Sequence, residues 1–484
     1  MSQSITPRQR ALFVVFLLAL FPAGNALQPR LDEDTWWHLA VGRYVVEHRD
    51  VPTEDPFSRI GQDQHIPWVA YSWLHEIALY GSHQVSGFPG VIAFRHLLDS
   101  LTFLTVAWFV LRRSGGSLFS LAALALVTLT LVPMMLERPW HYTIILTILT
   151  LHATLEWRSG VPAWKFWWLV PAFALWANLH IQFVLGFGVM GLGLCVAIVE
   201  RYLWVPKTPS TLPNAQKPLP WMALLAACFL ATLLNPYHVR LYVVVWEYAT
   251  QTGALRVVSE LAPPDFRFWW NWALLALLLW ASYETVRLRF PLFETALLIV
   301  AAVLSLRMQR DIWFGAIVAA AVIARCRRVE DPQPFPLRGL IAVVVCAIGL
   351  TRCVWHFGSG SDRGADRVNR EQYPAGAVEY LREHRPPGPL FNHFNWGGYL
   401  IWSLPEYPVG MDGRTNLYGG ERLQRAFDTW NGIGWDTDPD LLDAGVLLMP
   451  VEMEPLLLQE LRQARDRWRV VYEDKVAVVF VPIK

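Results

Sequence analysis

The chain contains few charged residues and few cysteines. Only 17% of its 484 residues are charged and its mean hydropathy is +0.30, whereas soluble globular chains carry about 25% charged residues. This composition excludes a soluble enzyme, a disordered chain and a disulfide-rich secreted scaffold. The net charge of +1 gives no bulk attraction for nucleic acid, so we expect no nucleic-acid partner. The five cysteines lie in or beside apolar runs without zinc-type spacing, so we expect no disulfide or metal framework.

Two common catalytic signatures are also missing. The sequence has no P-loop and no HExxH metalloprotease helix. The chain is therefore not an ATP-driven pump by its own sequence.

Long apolar runs occupy much of residues 1–356. A helix that crosses a hydrocarbon core needs roughly 20 residues, and several runs reach or approach this length. Many of the tryptophans stand at the ends of runs, which is typical of anchors at a membrane interface. The runs cover residues 11–28, 118–136, 142–155, 182–199, 219–234, 269–281, 292–306, 312–324 and 337–355.

Lys and Arg in the short loops predict the orientation of these runs. Successive basic groups fall two spans apart, which places all of them in the cytoplasm if there are about eleven spans. We therefore expect a multi-pass protein of the bacterial inner membrane, with its N-terminus in the cytoplasm and its C-terminus outside. Residues 30–88 form the first outer loop in this topology. The N-terminus also fits a cleaved signal peptide, but the many later spans favour an uncleaved first helix.

The character of the sequence changes near Gly358, where it becomes polar with Pro and Gly at turns. We expect a helix over 378–383 and an amphipathic stretch near 454–467. Strands that alternate with helices predict a small extracytoplasmic α/β domain over 357–484, after a membrane module over 1–356. The runs expected to form strands cover 389–391, 409–411, 445–449, 470–472 and 476–481.

Acidic residues gather at the start of the first outer loop. Asp34 is a suitable N-cap for a helix over about 35–48, and His38 stands one turn further on the same face. Together with Asp32, they would face water beside the membrane, where a sugar or a metal ion is accessible. The alternative is a solvated N-cap with acidic neighbours. We expect Trp36 and Trp37 to be interfacial anchors in either case.

Further polar candidates follow in the chain. His75 and Glu76 lie on an amphipathic stretch and either join a site or stand on the solvated surface. Arg95 and Asp99 lie within an apolar run, where ionisable residues are functional candidates. Their spacing also predicts an ion pair on one helix.

Several cationic residues stand at the predicted outer ends of spans, where Arg is disfavoured. A membrane-borne phosphate would explain them, because guanidinium binds phosphate oxygens in a bidentate fork. The alternative is local ion pairing of Arg138 with Glu137 and of Arg310 with Asp311. The candidates for the donor phosphate are Arg138, His141, Arg307 and Arg310.

Four motifs carry a resemblance to a known superfamily. The opening Asp-x-Asp-Thr-Trp-Trp-His-Leu covers 32–39, and Pro-Thr-x-Asp-Pro-Phe-Ser covers 52–58. Trp-Gly-Gly-Tyr-Leu-Ile-Trp covers 396–402, and Asp-Gly-Arg covers 412–414. With these motifs, the whole chain resembles the polytopic glycosyltransferases of the GT-C fold, and most of all an uncharacterised bacterial branch. The superfamily includes protein O-mannosyltransferases, the catalytic subunit of oligosaccharyltransferase and the aminoarabinose transferase.

The resemblance implies transfer of a sugar from a polyprenyl-phosphate donor to an acceptor at the outer face of the membrane, with inversion. Asp34 matches the acidic residue that acts as a base or orients the acceptor. Asp32 is the matching candidate for a second carboxylate that holds a divalent cation, Mg or Mn. The expected partners are the bilayer, a lipid-linked sugar and an acceptor of unknown class. The Trp-Trp-Asp-Tyr-Gly signature of oligosaccharyltransferases is missing, which argues against transfer to asparagine.

Asp412 and Arg414 have two interpretations. They either contact the acceptor, as His75 and Glu76 would, or pair with each other beside a turn at Gly397 and Gly398. The function of the whole chain has alternatives too, namely a transporter or flippase for a lipid-linked sugar and a scaffold without catalysis. The polar residues concentrate at the ends of spans, whereas a transporter needs them at the midplane, so we favour the enzyme.

Overall fold

Helices make up most of the computed structural model, which describes residues 13, 14, 17, 31–114, 118–202, 217–250, 258–326, 370–452 and 456–483. The chain divides into two compact units. Unit 1 contains residues 1–27, 93–239 and 260–356, and unit 2 contains 28–92, 240–259 and 357–484. Unit 2 thus contains the whole predicted C-terminal domain together with the predicted first outer loop.

The helices account for most of the apolar runs. The first expected span is described only at three residues, and the run 337–355 lies outside the described residues, as do Cys346 and Cys353. In chain order the helices are α1 (Thr35–His48), α2 (Arg59–Gln64), α3 (Trp73–Ser86), α4 (Phe88–Ser114), α5 (Leu118–Leu131), α6 (Trp140–Arg158), α7 (Leu169–Leu179), α8 (Val184–Tyr202), α9 (Pro218–Thr232), α10 (Arg240–Thr250), α11 (Trp269–Leu288), α12 (Leu292–Arg307), α13 (Ile312–Cys326), α14 (Ala375–His384), α15 (Gly397–Ser403), α16 (Gly419–Trp430), α17 (Pro439–Leu442) and α18 (Leu456–Gln463).

Helix α13 lies at the centre of unit 1. Every residue from Ile312 to Ala324 is buried, as expected of a helix that is apolar all round. Its alanines let α5, α11 and α12 pack closely around it. Ser305 fixes the turn before α13, because its hydroxyl accepts from Gly315 N and donates to the Asp311 carbonyl, each at 2.8 Å.

Two helices among the described residues are long and apolar enough to cross a membrane. They are Phe88–Ser114 and Ile181–Tyr202, and the shorter apolar helices Phe119–Met134 and Pro218–Thr232 accompany them. The total of about eleven spans remains a prediction.

Unit 2 contains a four-stranded sheet in its C-terminal part. The strand order is β1-β2-β4-β3, with β1 parallel to β2 and the other neighbours antiparallel. One face packs on α17 and α18 through an apolar cluster that includes Leu441, Leu457 and Phe480. The strands are β1 (Leu390–Asn392), β2 (Val446–Pro450), β3 (Trp468–Glu473) and β4 (Ala477–Pro482).

The expected small α/β architecture is confirmed by this sheet and its helices, α14 and α18 included. The exception is the run 409–411, which forms only an isolated bridge between Val409 and Ser58. Val409 N donates to the Phe57 carbonyl, and Arg59 N donates to the Val409 carbonyl at 2.9 Å. This segment therefore connects the C-terminal part of unit 2 to residues 57–59.

Candidate functional site

Helix α1 positions Asp34, the candidate base. The helix covers 35–48 as predicted and Asp34 occupies the N-cap position, but its side chain makes no capping hydrogen bond. Its backbone N–H donates to Asp32 Oδ1 at 3.0 Å. Asp34 is half-buried, and its carboxylate does not cap the helix.

Glycines bring the C-terminal part of unit 2 against the start of α1. A Cβ at Gly413 would collide with Asp34 Oδ1, and a Cβ at Gly398 would lie 2.8 Å from the Glu33 carbonyl. The lack of a side chain at Gly398 permits this close packing. Gly397 and Gly398 form the start of helix α15, so the turn that we expected at these glycines is wrong. The backbone of Gly413 borders the carboxylate of Asp34.

A buried ionic network fixes the segment that carries Gly413. Arg414 Nη2 and Nε donate to the two oxygens of Asp412 at 2.7 and 2.9 Å, and Arg414 Nη1 donates to Asp55 Oδ1 at 2.6 Å. The Tyr418 hydroxyl donates to Asp412 Oδ2 at 2.6 Å. Asp55 also accepts from Ser58 N at 3.1 Å. The network therefore contains the pair between Asp412 and Arg414 that we expected as the alternative to contact with the acceptor.

The charges in this network hold each other in the ionised form. Burial alone would raise the pKa of Asp412, but the charge and hydrogen bonds of Arg414 outweigh burial and lower this pKa below its ordinary value. Burial alone would lower the pKa of Arg414, but Asp412 and Asp55 raise it well above the ordinary value. In such a buried triad each charge is compensated by its oppositely charged partner, so removal of one partner leaves a buried charge without compensation.

His38 and Glu76 form a second buried pair, between α1 and α3. His38 Nδ1 lies 3.1 Å from Glu76 Oε1, and Glu76 is only 1% exposed. Burial raises the pKa of Glu76 well above its ordinary value, while the charge of Arg414 acts in the opposite direction. His75 is also buried, so the expectation of a solvated surface at His75 and Glu76 is wrong. The reason is the close packing of α3 on α1, where a Cβ at Gly42 would collide with the Glu76 carbonyl.

Trp36 and Trp37 are buried in unit 2, so the expectation that they anchor at an interface is wrong. The Trp36 ring makes edge contacts with Phe88, Tyr373 and Tyr399 at centroid distances of 5.0 to 5.1 Å. These rings pack α1 against α15 and the start of α4. The position of the two tryptophans in the sequence did not reveal this packing.

Two of the predicted cations of unit 1, Arg138 and Arg310, stand on segments that bond to residues 260–262. Arg138 donates to Glu260 at 2.9 Å, while Glu137, its neighbour in the chain, accepts from Arg95 at 2.7 Å. Gln309 N donates to the Ala262 carbonyl at 2.8 Å, which ties the turn that carries Arg310 to this segment. One short segment thus connects the surroundings of Arg138 and Arg310.

Asp311 lies between the two remaining cations and α13. Burial raises the pKa of Asp311, whereas the charges of Arg310 and Arg307 and a hydrogen bond from Gln182 lower it. Arg307 itself is exposed at the end of α12. The expected interaction of Arg310 with Asp311 is therefore present as a charge interaction.

His141 belongs to a buried polar cluster of unit 1. It lies 3.0 Å from the Thr102 hydroxyl and 2.9 Å from the Leu136 carbonyl. In the same cluster Arg95 donates to Glu137 at 2.7 Å, and neither carboxylate oxygen of Asp99 has a hydrogen-bond partner among the described residues. The expected pair of Arg95 with Asp99 is wrong, because Glu137, just before α6, supplies a better-placed carboxylate.

No protein-family model and no curated protein matches the chain. It is similar to the crystal structure of the Archaeoglobus fulgidus oligosaccharyltransferase in the apo form, with 11% identity and a TM-score of 0.48 over 92% of this chain and 70% of that chain. A likeness at this level assigns neither a family nor an activity to this chain, so membership of the GT-C superfamily and its bacterial branch remains a hypothesis.

Three residues of the site were not singled out from the sequence. Asp55 and Tyr418 hold the network around Arg414, and Gly413 borders Asp34. Asp55 stands in the motif at 52–58 and Gly413 in the motif at 412–414, so the signal was present. The sequence did not show that the fold brings these two motifs, more than 350 residues apart, into contact.

Proposed function

We propose that the protein is a membrane glycosyltransferase that moves a sugar from a polyprenyl-phosphate donor to an acceptor at the outer face of the membrane. The observation that supports this best is the surroundings of Asp34. Asp34 is half-buried, and its carboxylate makes no capping bond with the helix that it precedes and borders the glycine backbone of the 412–414 motif. Two motifs of the resemblance thus meet at one carboxylate.

In the proposed reaction, the acceptor hydroxyl attacks the anomeric carbon from the face opposite the phosphate. The new bond joins the acceptor oxygen to this carbon, and the bond from the carbon to the phosphate oxygen breaks with inversion. Asp34 orients the hydroxyl or takes its proton. Because the start of a helix carries a partial positive charge, it favours the ionised carboxylate, and orientation is then a large part of the role of Asp34.

The departing phosphate takes up the electron pair of the broken bond. We propose that Arg138, Arg307 and Arg310 hold it, because cations that are aimed at a developing negative charge stabilise the transition state. Arg138 bonds to Glu260, and Gln309, the neighbour of Arg310 in the chain, bonds to Ala262, which supports a shared role. His141 is completely buried and fits this role less well than the three arginines.

Asp32 and Asp34 are the residues that would bind the proposed divalent cation. The described residues contain no group of three or more His, Cys, Asp or Glu side chains arranged to hold a metal. Two carboxylates fit Mg²⁺ when the substrate phosphate completes its coordination. Asp32 and Asp34 would hold the ion in that case, and addition of a chelator to the transfer assay tests whether transfer depends on it.

A deletion strain tests the proposed function even while the sugar is unidentified. We expect a polyprenyl-phosphate-linked sugar to accumulate, identified by mass spectrometry of the lipid extract. The wild-type gene should remove it, Asp34→Asn should not, and Arg310→Lys should remove it in part, because lysine keeps the charge but loses the fork. An unchanged lipid profile in the deletion strain would contradict the enzyme and favour a scaffold.

A further inference from the structure

The C-terminal part of unit 2 contains a cleft that none of the proposed roles uses. It lies between α16 and the turn before α17 and has a volume of about 650 Å³. This volume is typical of a site for a small molecule. The side chains that give it polar character are Glu421, Gln424, Arg425, Asp428, Thr437 and Asp438.

The floor of the cleft is pre-organised by Asp438. This side chain is 2% exposed, and it accepts from the Thr429 hydroxyl at 2.5 Å and from Asp440 N at 2.8 Å. Asp440 in turn accepts from Arg422 at 2.8 Å and from Arg425 at 2.9 Å. These bonds clamp α16 to α17, so the cleft keeps its shape without a ligand.

The wall of the cleft offers hydrogen-bond acceptors. The Gln424 amide donates to Asp428 Oδ1 at 2.9 Å, which orients both side chains. Within the described part of the chain, Gln424 Oε1 and Asp428 Oδ2 accept no further bond, and Glu421 is exposed on the next turn. A carboxylate can accept several bonds and an amide oxygen two. The wall therefore suits a ligand with several hydroxyl donors.

The charge of the lining selects against anions. Glu421, Asp428 and Asp438 are three carboxylates, against one guanidinium on Arg425. A phosphate would meet net repulsion here, whereas neutral hydroxyl groups would not. Ile433 is 64% exposed beside the polar groups and offers an apolar contact for the C–H face of a ring.

We infer that this cleft binds a neutral sugar residue, and that the residue belongs to the acceptor. The second half of this inference rests on the proposed function, and the first half does not. Acceptor choice would then depend on α16 as well as on the surroundings of Asp34.

Sugar binding to the full-length protein in nanodiscs tests the inference. The probes are methyl α-mannoside, methyl β-glucoside and methyl N-acetyl-β-glucosaminide, detected by saturation-transfer NMR. We expect at least one of them to bind, and Asp428→Asn to weaken binding about tenfold, because a charged hydrogen-bond acceptor is lost. Glu421 is exposed, so Glu421→Gln should leave the fold intact and weaken binding as well. Asp466→Asn is the matched control on an exposed loop of the same unit and should bind normally.

The failure of this inference differs from the failure of the proposed function. Asp34→Asn should still bind the sugar, and inorganic phosphate should not compete. Three outcomes would contradict sugar binding in the cleft, whether or not the protein transfers sugar. They are failure of every probe to bind, equal binding by wild type, Asp428→Asn and Glu421→Gln, and displacement of the sugar by phosphate. Binding that depends on Asp428 and Glu421 in a protein without transfer would support the cleft and count against the enzyme.

Discussion

At the scale of single residues, the place of the Asp34 carboxylate depends on the absence of a side chain at Gly413. We expect Gly413→Ala to push the carboxylate aside, because a Cβ there would collide with Asp34 Oδ1. The flexible end of an aspartate can move cheaply, so the protein should stay folded. Sugar transfer should fall about 100-fold, since small misplacements of a catalytic group carry large penalties. A transfer assay beside a thermal unfolding curve measures both effects.

Gly81→Ala is the matched control for this substitution. Gly81 lies in α3 of the same unit, and a Cβ there would meet nothing within 4 Å. An added methyl group in the interior of a helix is expected to stabilise it by about 0.5–1 kcal/mol. If Gly413→Ala transfers sugar as well as Gly81→Ala does, the contact with Asp34 has no catalytic importance.

Glu76 gives a prediction for pH dependence. Because its pKa is raised in the folded protein, the folded state binds more protons than the unfolded state between the two pKa values. The contribution of Glu76 to the free energy of unfolding is therefore fully present below the unfolded pKa and is lost as pH rises through the folded pKa. Glu76→Gln has no proton to lose and should lack this slope.

Thermal unfolding of both proteins between about pH 5 and pH 8 measures this difference. The pKa of Asp412 is lowered from that of an ordinary aspartate, so its slope has the opposite sign and lies below about pH 4, outside this range. Parallel curves for wild type and Glu76→Gln would show that Glu76 is ionised in the folded state.

At the scale of elements, Arg414 joins the segment after α15 to the segment before α2. We expect Arg414→Ala to lower the free energy of unfolding by about 3–5 kcal/mol, because Asp412 and Asp55 would keep uncompensated buried charges. Arg462→Ala breaks a half-exposed pair with Glu473 and should change it by at most about 1 kcal/mol. Denaturant unfolding separates the two variants. An Arg414→Ala protein of normal stability that loses its selectivity among acceptors would instead favour the acceptor-binding interpretation.

The sequence predicted elements better than it predicted partners. The limits of α1 and the positions of the four strands follow from local patterns of caps, turns and apolar residues. The run 409–411 has the pattern of a strand, but its backbone pairs with residues 57–59, far away in the chain. Arg95 likewise has a suitable partner at Asp99 on its own helix, yet it bonds to Glu137 just before α6. Local patterns contain no information on which distant segment competes for the same group.

At the scale of the whole molecule, the charge pattern predicts which side of the membrane each loop faces. Ser210 should face the cytoplasm and Ser361 the outside, although both lie outside the described residues. Single cysteines at these positions, in a protein without its five native cysteines, can be labelled in intact cells with a thiol reagent that does not cross membranes. We expect label at 361 and none at 210. The reverse pattern would contradict the predicted orientation.

The candidate site could be predicted only in part at this scale. The motifs indicated Asp34, Asp412 and Arg414, and composition indicated a membrane protein. The burial of His75 and Glu76 and the role of Asp55 could not be predicted, because they arise where α1, α3 and the C-terminal segments pack within unit 2.

The most direct test of the central claim is the rate of sugar transfer by the purified protein in nanodiscs after Asp34→Asn. The asparagine leaves α1 intact, since the Asp34 side chain makes no capping bond, but it removes the charge that orients or deprotonates the hydroxyl. We expect a stable protein with transfer reduced at least about 100-fold, the range for loss of a general base. Asp32→Asn should reduce transfer less. Near-normal transfer by Asp34→Asn with an inactive Asp32→Asn would assign the role to the other carboxylate, and full activity of both variants would contradict the proposed catalytic role of this loop.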